Sequence, residues 1–104
     1  MRIAHLTFTV DTAATQQALA TLVAAAPSVR AMPGCQAFIP FADPTVEGGL
    51  GLIHEWDSAA AFSAYLASPG FAELNATLRP LMTAPPVSRR FEAEPVCDAA
   101  CRPA

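Results

Sequence analysis

The sequence predicts an α+β domain, one antiparallel sheet with helices on a single face. Three observations carry this. Strand-like alternation and helix-like spacing succeed one another in the order β-α-β-β-α(α)-β. Proline and glycine pairs punctuate the joints between them. A chain of 104 residues fits one domain and leaves no room for a second.

Met1 to Val10 alternates, with Ala4, Leu6, Phe8 and Val10 on one side and Ile3, His5, Thr7 and Thr9 on the other. A period of two is that of a strand. Asp11 or Thr12 can cap the helix that follows, where Ala14, Ala18, Leu19, Leu22, Val23 and Ala26 recur at helical spacing. That helix is expected from about Ala13 to about Ala26, ended by Pro27, with a short turn over Ser28 to Met32 before the Pro33–Gly34 break. Cys35 to Phe41 reads as a second strand, and Pro40 within it implies an edge or a bulge. Asp43–Pro44 and Gly48–Gly49 frame a loop. Leu50 to Asp57 is a third strand, with Leu50, Leu52, His54 and Trp56 on one face. Ser58 caps a helix over Ala59 to Ala67 that spaces Phe62, Tyr65 and Leu66 helically. Ser68–Pro69 ends it and starts the next helix, since proline is tolerated in a first turn. Phe71, Leu74, Leu78, Leu81 and Met82 continue that helix until Pro85–Pro86. Val87 to Glu94 is the last strand, so residues 1–94 form the domain and 95–104 a loose tail.

The element order is that of the split βαβ, or ferredoxin-like, arrangement, a four-stranded antiparallel sheet. Its helices are too few to cover both faces. Hydrophobic residues make up 53% of the chain, above the usual share for a soluble domain. Both facts point to a homodimer in which two sheets meet face to face in a barrel-like shell.

Composition narrows the partners. The net charge is −3, lysine is absent, and six arginines carry all the fixed positive charge. Only Arg89–Arg90 form a pair, so the sequence carries no basic stripe for a phosphate backbone and no nucleic-acid partner is expected. Met1 to Val10 lacks the continuous apolar core of a signal peptide, and Ala18 to Ala26 is too short to span a bilayer. The expected location is the cytoplasm, with no membrane partner. Three cysteines are too few for a disulfide framework.

Two stretches carry a family resemblance. Val29-Arg30-Ala31-Met32-Pro33-Gly34-Cys35 followed by Phe38, and Leu52-Ile53-His54-Glu55-Trp56-Asp57-Ser58 followed by Phe62 and Tyr65-Leu66-Ala67-Ser68-Pro69, resemble signatures of the antibiotic biosynthesis monooxygenase (ABM) family. With Phe71 and the Pro80-Leu81 to Pro86 segment, the likeness covers roughly residues 1 to 94. It implies a dimeric α/β barrel. It also implies oxidation of a small phenolic or quinol-type aromatic by O2, with no metal, flavin or haem as cofactor. The chain departs from the family pattern at two positions. His54 stands where an acidic residue usually lies two before the tryptophan, and Tyr65 replaces a histidine on the following helix.

His54 and Trp56, on one strand face, admit two readings: a general base beside an aromatic wall, or a hydrogen-bonded core histidine beside a packed tryptophan. Tyr65 is either a donor to a substrate oxygen or core packing with its hydroxyl at the rim. Phe38 and Phe62 join Trp56 as aromatic substrate contacts. If Leu6 and Phe8 pack under the helices, His5 and Thr7 face the dimer cleft as polar anchors, or else solvent. Arg89 and Arg90 point to opposite faces, so at most one reaches a cleft. Arg79 sits late in its helix, where a cation suits the dipole. No metal site is expected: Cys97 and Cys101 have no histidine near them. Haem-degrading relatives place an iron-ligating histidine on the third helix, where this chain has Asn75. Besides oxygenation, two functions compete on the same cleft, a ligand-binding dimer without turnover and an isomerase-like proton-transfer enzyme.

Overall fold

The computed structural model describes residues 1–96. Its elements are β1 (Arg2–Thr9), α1 (Thr15–Arg30), β2 (Cys35–Ala42), β3 (Gly49–Trp56), α2 (Ala59–Leu66), α3 (Pro69–Leu78) and β4 (Val87–Glu92). Tight turns of helix over Thr12–Ala14 and Arg79–Leu81 precede α1 and follow α3. The four strands form one antiparallel sheet in the order β2-β3-β1-β4. This is the split βαβ arrangement read from the sequence.

Register decides what each face carries. Ala4 pairs with His54 on one side and Arg90 on the other, and Leu6 pairs with Leu52 and Ser88. Phe38 of β2 lies opposite His54. These residues share the face under the helices, where Phe8, Leu22, Leu50, Phe62 and Leu78 form the core. Ile3, His5 and Thr7 lie on the opposite face with Ile53, Arg89 and Phe91. No described helix covers that face, and Ile39, Val87 and Phe91 are 49%, 57% and 38% exposed. Gly51 is needed there because the Phe41 ring lies across it; a Cβ on Gly51 would meet that ring at 2.2 Å.

Three expectations are corrected. Pro27 does not end α1, which runs on to Arg30. An interior proline removes a helix hydrogen bond and crowds the preceding turn, at about 3 kcal/mol. The last turn is held by tertiary contacts: Val29 is buried in the core, and the Arg30 guanidinium donates from Nε (3.2 Å) and Nη2 (2.7 Å) to the Phe38 carbonyl. The third helix ends at Leu78 rather than running to the Pro85–Pro86 pair. Pro80 lacks an N–H and restricts Arg79 before it, so the chain tightens over Arg79–Leu81. The last strand stops at Glu92, although the Ala93 N–H still donates to the Met1 carbonyl at 2.8 Å.

Other punctuation works as read. Pro40 sits on an edge strand, and the β2–β3 register shifts between Cys35 and Ala37. Gly34 adopts φ +84°, and a Cβ there would meet that of Ala61 at 2.6 Å. The Ser58 hydroxyl accepts from the Ala61 N–H at 3.1 Å and so caps α2. Ser68 serves two helices: its hydroxyl donates to the Tyr65 carbonyl at 2.6 Å and accepts from the Phe71 N–H at 3.2 Å. The tail cysteines, Cys97 and Cys101, lie outside the described residues.

Candidate functional site

A cavity of about 240 Å³ opens between the sheet and helices α2 and α3. Leu6 and Leu52 form its floor, and Phe62, Phe71, Leu74 and Leu78 form walls. Its polar lining comes from His54, Tyr65, Asn75, Arg79, Ser88 and Arg90. Among the described residues no carboxylate lines it. An apolar hollow with a few convergent polar groups is the usual form of a small-molecule site.

His54 is the centre of an aromatic cluster. Its ring centroid lies 5.5 Å from Phe62, 5.6 Å from Tyr65, 6.0 Å from Phe38 and 6.3 Å from Trp56. Trp56 stacks on Tyr65 at 5.1 Å and 24°. The Trp56 indole N–H donates to His54 Nδ1 at 2.9 Å. His54 is 5% exposed, and burial, with the charges of Arg90 and then His5, lowers its pKa to about 4. It is therefore neutral at physiological pH. A group this reluctant to take a proton, with one ring nitrogen already engaged, is a weak base, which favours the hydrogen-bonded histidine of the two readings over the general base. Burial, with a smaller contribution from Cys35, raises the Tyr65 hydroxyl to about 12. Tyr65 stays protonated and can donate. Among the described residues no fully buried side-chain nitrogen or oxygen lacks a partner. His54 Nε2 and the Tyr65 hydroxyl make no hydrogen bond within the described protein, so both reach the cavity they line.

Of the residues singled out from the sequence, the cavity brings together His54, Tyr65 and Phe62. Trp56 and Phe38 are fully buried and stand behind His54 and Tyr65; they are not walls of the cavity. His5 and Thr7 do not share it. They lie on the uncovered face, where His5 meets the edge of Phe91 at 5.5 Å. Helices lie over the Leu6 and Phe8 face, and the hollow forms beneath them.

Arg90, Arg79 and Asn75 also line the cavity; the sequence left open which of Arg89 and Arg90 reaches a cleft, and gave Arg79 and Asn75 no ligand role. The Arg90 guanidinium lies 5.0 Å from the Phe62 ring centre, and its Nε donates to Ser88 Oγ at 3.2 Å. Arg2, paired with Glu92, lies 5.7 Å from the same ring. The signal for Arg90 is the strand pairing: once Ala4 pairs with both His54 and Arg90, those two share a face. Asn75 and Arg79 are four apart, hence on one helical face. Among the described residues no three of His, Cys, Asp and Glu are grouped as a metal ion requires. No described helix is long and apolar enough to cross a membrane.

Fold and cavity together define a ferredoxin-like domain with polar groups and two cations facing a largely apolar hollow. Residues 1–77 match the family model for antibiotic biosynthesis monooxygenase. The chain belongs to that family. A candidate antibiotic biosynthesis monooxygenase from Deinococcus radiodurans superposes with a TM-score of 0.85 at 24% identity, covering 95% of this chain and 98% of that one. A similar candidate from Caulobacter crescentus gives 0.85 at 21% identity over 90% of each chain. A Mycobacterium tuberculosis protein gives 0.80 at 22% identity, covering 97% and 100%. At these identities the likeness speaks for the fold. No curated protein matches the chain.

Proposed function

We propose that this protein is a cofactor-independent monooxygenase that oxidises a small electron-rich aromatic, a quinol or anthrone-like phenol, with O2. The observation that carries this is a cavity walled by Phe62, Phe71 and leucines whose polar lining is two cations, Arg79 and Arg90, and the neutral groups His54, Tyr65, Asn75 and Ser88. Such a lining favours the anion of a phenol or enol over its neutral form. Arg90 and Arg79 lower the ligand's own pKa, and the proton leaves to water at the cavity mouth. The anion is then the electron donor. One electron passes to O2, and the resulting radical and superoxide combine into a C–O bond. For an anthrone-like methylene, loss of the second C–H proton and cleavage of the O–O bond expel hydroxide. The methylene becomes a carbonyl, one oxygen atom stays on the ring, and the other leaves as water. Tyr65 and His54 hold the ring oxygen, and the apolar walls keep water from the intermediate.

The assembly belongs to the same proposal. The uncovered sheet face, with exposed Ile39, Val87 and Phe91, is covered by a second copy, and the protein acts in the cytoplasm as a homodimer. A ligand-binding dimer without turnover is the second reading. It is favoured by one observation, that His54, the imidazole lining the cavity, is held as a weak base by burial and the Arg90 charge. The same observation weighs against a proton-transfer isomerase, which needs a stronger base.

Oxygen uptake by chelator-treated protein, over a panel of hydroquinones and anthrones, tests the proposal. Uptake above the spontaneous rate, with one quinone formed per O2, is expected. Saturable binding of these compounds with no uptake would establish the second reading instead.

A further inference from the structure

We propose that Trp56 is a positioning residue: its indole N–H fixes the proton of His54 on Nε2, so that His54 presents a donor to the cavity and selects a ligand whose facing atom is an acceptor oxygen. The tautomer follows from the bond. An indole nitrogen only donates, so the His54 Nδ1 at 2.9 Å must hold its lone pair toward Trp56. A neutral imidazole carries one proton, which is then on Nε2. The constraint is built in on both sides. Trp56 is fully buried, stacked on Tyr65, and on the same strand face two residues from His54. Phe38 and Phe62 close on the His54 ring at 6.0 and 5.5 Å, which opposes a flip that would exchange the nitrogens.

Protonating Nδ1 would set two N–H groups head to head. The other groups facing His54 oppose protonation or leave it unaided. Arg90 from β4 and Arg79 beyond α3 are cations on the same cavity, Tyr65 from α2 is a neutral hydroxyl, and His5 lies behind on β1. Arg2, near Phe62, is paired with Glu92. A carbonyl or phenolate oxygen therefore suits Nε2–H, whereas a hydroxyl or ammonium donor does not. The ligand half rests on the cavity being the substrate site proposed above. The tautomer half does not.

Nitrogen-15 NMR of histidine-labelled protein reads the tautomer directly. At pH 7, His54 is expected to show a protonated Nε2 and an unprotonated Nδ1, unchanged down to pH 5. A protonated Nδ1, or titration of His54 near the ordinary histidine range, would overturn the proposal whether or not the enzyme turns over. In Trp56→Phe the two tautomers should mix, and the His54 pKa should rise by about one unit. An unchanged spectrum in a folded Trp56→Phe would also overturn it. For the ligand, 1-tetralone is compared with tetralin, which has the same shape without the carbonyl. His54→Phe should weaken tetralone about tenfold and leave tetralin unaffected, about one hydrogen bond. Equal loss for both compounds would sink the donor assignment. Failure of either to bind wild-type protein would instead overturn the reading of the cavity as a ligand site, and the ligand half with it.

Discussion

Arg90 links the chemistry of the ligand to that of His54, and one substitution exposes both. Arg90→Gln removes a cation from the cavity while keeping a polar side chain able to reach Ser88. An ionised nitrophenol should lose about tenfold in affinity, as for one charge-assisted hydrogen bond, while a neutral aromatic of the same size loses little. Because the Arg90 charge also holds His54 down, the His54 pKa should rise in the same variant. His54 itself couples folding to pH. Its pKa lies near 4 in the folded protein against an ordinary value of 6.5, so the unfolded chain binds the extra proton across that window. Stability is therefore full above pH 6.5 and falls as pH drops toward 4, by roughly 3 kcal/mol over the window. Urea denaturation at pH 7 and pH 4.5 should show a drop in the wild type that is much reduced in His54→Phe. A pH-independent wild type would contradict the buried neutral histidine.

At the level of elements, the α2–α3 joint and the α1 proline carry opposite expectations. The Ser68 hydroxyl closes one helix and opens the next, so Ser68→Ala should cost about 1–2 kcal/mol in chemical denaturation. Pro27→Ala restores an N–H inside α1 and should stabilise by roughly 1–2 kcal/mol, since part of proline's penalty is offset in the unfolded chain. A lower melting temperature for Pro27→Ala would mean that the proline shapes the last turn toward Arg30 and Phe38. These two segments also mark what local sequence discloses. Alternation in β1 and β3, the serine caps and the edge proline in β2 are set by residues within a few positions of one another, and all were legible. The run past Pro27 was not, because Val29 and Arg30 are held by β2 and the core, which periodicity does not contain. For the same reason the strands named their faces but not which face the helices would hollow. His5 and Thr7 thus stayed open between the dimer cleft and solvent, and Arg90 stayed ambiguous beside Arg89 until β4 was paired with β1.

For the whole molecule, the uncovered sheet face is the contact proposed for the homodimer. Phe91→Asp combined with Ile39→Asp puts two charges on the proposed contact, and sedimentation should then report a monomer where the wild type is a dimer. A wild-type monomer at micromolar concentration would refute the proposed assembly. The sheet order has a different consequence. The strand that delivers Arg90 is an edge, six residues long, exposed along its length and joined only to β1. Edge segments with few buried contacts open most often. One of the cavity's two cations thus rides on the strand expected to open first, and a ligand bridging Arg90 to His54 would fasten it. Amide exchange across Val87–Glu92 should slow on ligand binding while β3 scarcely changes, so that occupancy of the cavity is written in the motion of the sheet's outermost strand.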